Sequence, residues 1–262
     1  MPILKGRTAL VTGSTQGIGL AIAQTMAAAG ADVVLHGIDP DERGRGIAAE
    51  LAATHGVRTA YLRADIARAA EAAGLVAAAT QALAFPDLLV NNAGIQHTAP
   101  IESFPDDKWD AIVAINLSAC FHTMKAAVPG MRQRGFGRIV NIASVHGLVA
   151  SVNKAAYLAA KHGLVGLSKG VALETATDGI TVNCICPGWT DTPLIQPQID
   201  ARAAAVGGDR AAGVRELLRE KQPNLTLLPP ARIGDVAVFL CGPAAAGITG
   251  IALPVDGGWT AQ

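Results

Sequence analysis

The chain has 262 residues, half of them hydrophobic and 16% charged, with 21 basic against 21 acidic side chains and no formal net charge. Such a composition supports a large buried core and excludes a disordered chain. The neutral balance leaves no basic face for nucleic acid or an anionic membrane, so neither is expected as a partner. No uninterrupted apolar run reaches membrane-spanning length and the first residues form no long apolar segment, so a cytoplasmic protein is expected. Cys120, Cys184, Cys186 and Cys241 have no Cys or His partner at zinc-site spacing. They are expected to be reduced and structural, with no metal, and Cys184 and Cys186 to point to opposite sides of a buried strand.

A β-rich run at residues 8–12 leads into a glycine-rich turn and a helical period over 17–29. In that period Ile18, Ala21, Ile22, Thr25 and Met26 recur at three- and four-residue steps, one apolar face for packing on a sheet. Strand 32–35, helix 41–55, strand 58–64, helix 69–83 and strand 88–91 follow. A long helical period at 108–134 precedes strand 138–142, helix 155–175 precedes strand 181–185, and helix 232–241 precedes a last strand at 251–254. This alternation reads as βαβ units. The expected fold is α/β: a single Rossmann-like domain over residues 1–262, its doubly wound parallel sheet of seven strands covered by helices on both faces.

Two stretches break the pattern. Residues 189–224 carry Pro193, Pro197, Gly207 and Gly208 among helical fragments and follow a strand end. Open α/β sheets bind ligands there, so this insertion is expected to form a small helical substrate lid. Helix 155–175 is rich in Ala and Gly with no clear polar face, and is expected to be buried, in part against another subunit.

The first turn reads Thr12-Gly13-Ser14-Thr15-Gln16-Gly17-Ile18-Gly19. Glycines at this place allow a tight turn and close approach of backbone N–H groups to a pyrophosphate, and the helix that follows aims its N-terminus at the same anion. Asn91-Asn92-Ala93-Gly94 closes the fourth strand, and Pro187-Gly188 follows the sixth. Tyr157 and Lys161 stand four residues apart on one helical face, with Ser144 just beyond the fifth strand and Asn116 in the long helix before it. A tyrosine is a poor base near neutrality unless a neighbouring ammonium favours its phenolate, which is what this pair provides.

Together these motifs resemble the short-chain dehydrogenase/reductase family, over residues 6–259. The resemblance implies a nicotinamide-dependent enzyme with Asn116, Ser144, Tyr157 and Lys161 as the catalytic set. In it Tyr157 is the general base, Ser144 bonds the substrate oxygen, and Asn116 holds a water that links Lys161 to solvent. It places the cofactor against Gly13, Thr15, Gly17, Ile18 and Gly19, against Asp65 and Ile66, and against Asn92, Ala93 and Gly94. Tyr157, Lys161, Pro187, Gly188, Thr190 and Thr192 complete that set. After the second strand the chain reads His36-Gly37-Ile38-Asp39-Pro40, with no Arg directly following. The missing basic clamp favours NAD over NADP, although Asp39 stands later than the simplest ribose-binding pattern.

Gln96, His146, Lys154 and Gln198 bring donors and a positive charge near Ser144 and Tyr157, as a carboxylate requires, and Trp189 and Trp259 offer an apolar wall. Residues 91–97, 143–151 with Lys154, and 253–262 resemble family members that act on a short hydroxy acid. That likeness implies reversible, NAD-dependent oxidation of (R)-3-hydroxybutyrate to acetoacetate by a homotetramer. The alternatives are an NADPH-dependent 3-oxoacyl thioester reductase of the same family and a non-catalytic cofactor-sensing protein on the same fold.

Overall fold

In the computed structural model, which describes residues 2–261, seven strands form one parallel sheet in the order β3-β2-β1-β4-β5-β6-β7. They are β1 (Thr8–Val11), β2 (Asp32–Gly37), β3 (Thr59–Arg63), β4 (Leu88–Asn91), β5 (Gly137–Ile142), β6 (Ile180–Pro187) and β7 (Ala252–Val255). The helices are α1 (Gly17–Ala28), α2 (Asp41–His55), α3 (Ala69–Ala82), α4 (Asp106–Val113), α5 (Ala119–Arg134), α6 (Ala155–Glu174), α7 (Gln196–Ala205), α8 (Arg210–Lys221) and α9 (Pro230–Cys241). Strand order reverses between β1 and β4, whose register sets Leu10 beside Leu89, so a crevice opens at their carboxyl ends.

Successive strand residues face opposite sides. Val33 and Leu35 belong to the core on one face of the sheet, with Ile22 and Met26 of α1 and Leu240 of α9, whereas Val34 belongs to the core on the other face, with Leu75, Met124 and Leu164 of α3, α5 and α6. The buried strand β5 also holds a polar residue: Asn141 accepts from Asn91 Nδ2 and donates to Ser168 Oγ, both at 2.8 Å. Cys184 and Cys186 do not diverge as expected. Two residues apart on β6, they share a face and lie in the same buried cluster.

The helix expected over 108–134 is interrupted. Ala114–Ser118 forms a π-helical turn between α4 and α5, an insertion that no glycine or proline announces. Asp106–Arg134 as a whole is long and apolar enough to cross a membrane by length and composition alone; here α5 packs beneath β4 and β5 against α3. α6 is not buried on every side: Ala159, His162, Gly166, Lys169 and Gly170 form an exposed face that ends at Leu173, 81% exposed. The insertion after β6 holds α7 and α8, packed on each other, and joins Trp189, Ile199, Leu217 and Leu218 to Val145 and Trp259 in a separate cluster above the sheet.

Candidate active site

A cavity of about 520 Å³ opens at the carboxyl ends of the strands and extends from Gly13 and Asp39 to Trp259. Its first end is built from backbone. Gly13 has φ +61°, and a Cβ on it would stand 2.8 Å from Ala93 Cα; a Cβ on Gly19 would stand 2.1 Å from the Gly13 carbonyl oxygen. Only glycine lets the loop lie this close to the end of β4. Thr12 Oγ1 accepts from the N–H groups of Asn92 and Ala93 at 2.9 and 3.1 Å, and Asn92 Nδ2 donates to the carbonyls of Thr12 and Gly13 at 3.0 Å each. Gln16, before α1, supplies no side-chain cap, so no capping side chain competes for the first amides of α1, an arrangement that suits an anion.

At the far corner of this end Thr15 Oγ1 donates to Asp39 Oδ2 at 2.5 Å, and Arg43 pairs with the other carboxylate oxygen at 3.2 Å. Asp39 therefore faces the cavity despite its late position, because β2 runs on through Gly37 and the chain turns at once. Asp65 and Ile66 line the same end; Asp65 Oδ1 accepts from Ala67 N at 3.1 Å.

The other end is built from side chains. Tyr157 and Lys161, one turn apart on α6, are both buried. Lys161 Nζ donates to the Ile142 carbonyl at 2.7 Å and lies 5.6 Å from the centre of the Tyr157 ring. Ser144 Oγ caps a short turn by accepting from His146 N at 3.1 Å, and the His146 ring stands edge-on to Tyr157 with centres 5.9 Å apart. His146 Nε2 lies 2.9 Å from Ser151 Oγ. Burial, then the charges of Lys154, Lys221 and His162, push His146 down to about 3, so this imidazole is neutral.

Lys154, 7% exposed, donates to Gln198 Oε1 at 3.1 Å and lies 5.0 Å over the Trp189 ring. Burial lowers it to about 8, with Glu220 opposing the shift. Trp259 meets Trp189 at 5.3 Å and His146 at 5.4 Å between ring centres. Two supports hold these indoles: Trp189 N donates to the Gln222 side chain at 2.8 Å, and the Asp256 carboxylate accepts from Gly258 N and from Thr260 N and Oγ1.

Of the residues expected at the site, Gly17, Ile18, Gly94, Gln96, Pro187, Gly188, Thr190 and Thr192 also line the cavity. Gly19, Asn116 and Gln198 do not. Gly19 acts through packing, and Gln198 reaches the cavity through Lys154. Asn116, in the π-helical turn, uses one acceptor site and one N–H of its side-chain amide on Ile95, accepting from its N–H and donating to its carbonyl at 2.9 Å each. His36 and Ile38 line the cavity although the sequence alone assigns them no role, and Ser151, inside the segment 143–151 but given no role of its own, bonds His146; a polar ring after the apolar run of β2 is the only signal for His36.

A family model described as Enoyl-(Acyl carrier protein) reductase matches residues 13–260. The chain is 51% identical to a D-beta-hydroxybutyrate dehydrogenase of Cupriavidus necator over 261 residues, 99% of this chain and 100% of the relative. It is 46% identical to a D-beta-hydroxybutyrate dehydrogenase of Rhizobium meliloti, over 98% of this chain and 99% of the relative. Among solved structures, L-sorbose reductase of Gluconobacter frateurii, complexed with NADPH and L-sorbose, superposes with a TM-score of 0.93 at 32% identity, all of both chains being covered. With this sheet, this crevice and these relatives, the chain belongs to the short-chain dehydrogenase/reductase family and is an oxidoreductase.

Proposed function

We propose that the protein oxidises (R)-3-hydroxybutyrate to acetoacetate, reversibly, with NAD. One observation carries this reading: the ammonium of Lys154 is buried beside Trp189 and makes no ion pair among the described residues. A buried cation without an anion is costly, and a substrate carboxylate is the partner that fits. The names of the Cupriavidus necator and Rhizobium meliloti relatives support the same choice.

The glycine-lined turn and the uncapped amides of α1 fit a pyrophosphate, held by Gly13, Thr15, Gly17 and Ile18 with Thr190 and Thr192 opposite. Asp65, Ile66 and Asn92-Ala93-Gly94 hold the adenosine side, and Pro187-Gly188 the nicotinamide side. The Asp39 carboxylate suits ribose hydroxyls and repels a 2′-phosphate, which favours NAD. When bound, the nicotinamide ring supplies the hydride acceptor.

The chain's own residues do the rest. Tyr157 Oη takes the proton of the substrate hydroxyl, and the Lys161 ammonium behind the ring favours the phenolate that can accept it. Ser144 Oγ donates to the substrate oxygen as negative charge develops there. Asn116 acts through Ile95, fixing the loop that carries Gln96. Lys154, with Gln96, Gln198 and neutral His146, holds the carboxylate, and the Trp189–Trp259 pair closes the apolar side. The insertion over 189–224 acts as the lid. A homotetramer is proposed from the exposed small-residue face of α6, which light scattering on the purified protein tests.

NADH production from (R)-3-hydroxybutyrate, its (S)-enantiomer and 3-hydroxybutyryl-CoA decides the function, in wild type and Lys154→Ala. The expected result is (R)-selective turnover of the free acid, sharply weakened by the substitution. Turnover of the thioester, indifferent to Lys154→Ala, would overturn the carboxylate reading.

A further inference from the structure

Both parts of the adenosine–pyrophosphate end rest on one buried ring that no motif contains. His36 lies on β2 and is 2% exposed. Gly13 N donates to its Nδ1 at 3.2 Å, and its Nε2 lies 3.1 Å from the Ala64 carbonyl oxygen. A backbone amide only donates and a carbonyl only accepts, so the pair fixes the ring as the neutral tautomer carrying its proton on Nε2. The main chain of the same residue is bound to the same loop. His36 N donates to Ser14 Oγ at 3.0 Å, and Ser14 N donates to the His36 carbonyl at 2.9 Å. His36 therefore spans from the glycine-rich turn to Ala64, the residue before Asp65 and Ile66.

We propose that His36 is a positioning residue for the dinucleotide: its neutral ring sets the distance between the phosphate-binding turn and the adenine corner, and a proton on Nδ1 breaks that link. The inference rests on the dinucleotide reading above and not on the choice between NAD and NADP. A proton on Nδ1 would set one N–H against another, donor facing donor. Burial acts in the same direction and holds the imidazole below the ordinary histidine range, against the opposing effect of the Ala64 carbonyl.

The titratable groups nearby come from the end of β2 and from β3 and its exit, and each has another partner. Asp39 is bound to Thr15 and Arg43, Tyr61 donates to the Asp39 carbonyl, Arg63 to the Ile38 carbonyl, and Asp65 accepts from Ala67 N and pairs with Arg68. The glycine-rich turn itself offers only uncharged groups to the ring. Because the ring is neutral in the binding-competent form, its contribution is present above its lowered value and is lost as pH falls through it.

The test is NADH binding by cofactor fluorescence in wild type, His36→Ala and His36→Asn at neutral pH, where the ring carries no second proton. NADPH replaces NADH if wild type prefers it, so a wrong cofactor choice leaves the experiment standing. His36→Ala is expected to weaken binding about tenfold or more, by orphaning the Gly13 N–H, with kcat at saturating cofactor near wild type. His36→Asn, whose amide oxygen can accept from Gly13 N, is expected to restore most of the affinity that His36→Ala loses. Binding by His36→Ala within about twofold of wild type would overturn the inference, as would binding by His36→Asn no tighter than by His36→Ala. If His36→Ala does not fold, His36→Leu, which fills the space but offers Gly13 no acceptor, takes its place with the same expected weakening and the same overturning result.

Discussion

The two ends of the cavity are made of different material. The dinucleotide end is main chain: amides, carbonyls and glycines from the ends of β1 and β4, locked by Thr12 and Asn92 across 80 residues of sequence. The other end is side chain, gathered from the turn after β5, the start of α6, the insertion after β6 and the last residues of the chain. Backbone geometry tolerates almost no change and serves any substrate, whereas a ring of side chains can be exchanged piece by piece. One fold can therefore keep its cofactor chemistry while its substrate drifts.

Substitutions at the two ends should then fail in different ways. Tyr157→Phe, at the junction, is expected to lower kcat about 10²–10⁴-fold while NADH binding, followed by fluorescence, stays near wild type. Lys154→Ala should raise KM for (R)-3-hydroxybutyrate about 10- to 100-fold and leave the KM of NAD unchanged; a parallel loss in both would mean the two ends are not independent. The pH dependence sharpens this point. Lys154 is cationic below about 8 and loses its charge above it, so wild-type KM for the acid should climb on the alkaline side while Lys154→Arg postpones the rise. Asp39→Ala should shift the ratio of kcat/KM for NADP over NAD upward about tenfold with any substrate. The smallest effect is expected for Gln198→Ala, a rise of a few-fold in substrate KM at about 1 kcal/mol for one lost hydrogen bond.

The same contrast explains what could be read from the amino-acid sequence. Strands alternating with helices, and glycines between the first strand and helix, are local signals, and they led to the parallel seven-stranded sheet and the turn over Gly13 and Gly19. The π-helical turn at Asn116 left no local mark, because one extra residue per turn changes hydrogen bonding and not composition. Cys184 and Cys186 were misassigned for a simpler reason: residues two apart in a strand share a face. Gln198 and Trp259 meet the site only through folding, since neither α7 nor the carboxyl terminus is near α6 in sequence, and only a family resemblance brought them forward. Asp39 reaches the cavity because β2 runs to Gly37, two residues past the strand expected at 32–35. His36 and Ser151 show no role in the sequence, because their partners, Gly13 with Ala64 and His146, are brought to them only by folding.

The paired indoles give the molecule an optical property of its own. Of three tryptophans, Trp189 and Trp259 stand 5.3 Å apart between ring centres at the substrate end, and Trp109 lies 40% exposed on α4. Emission from the pair falls where reduced nicotinamide absorbs, so quenching on NADH addition reads occupancy without a label. A change in the pair's coupling when the acid is added then reads movement of the insertion against the chain's tail, with Trp109→Phe removing the constant background.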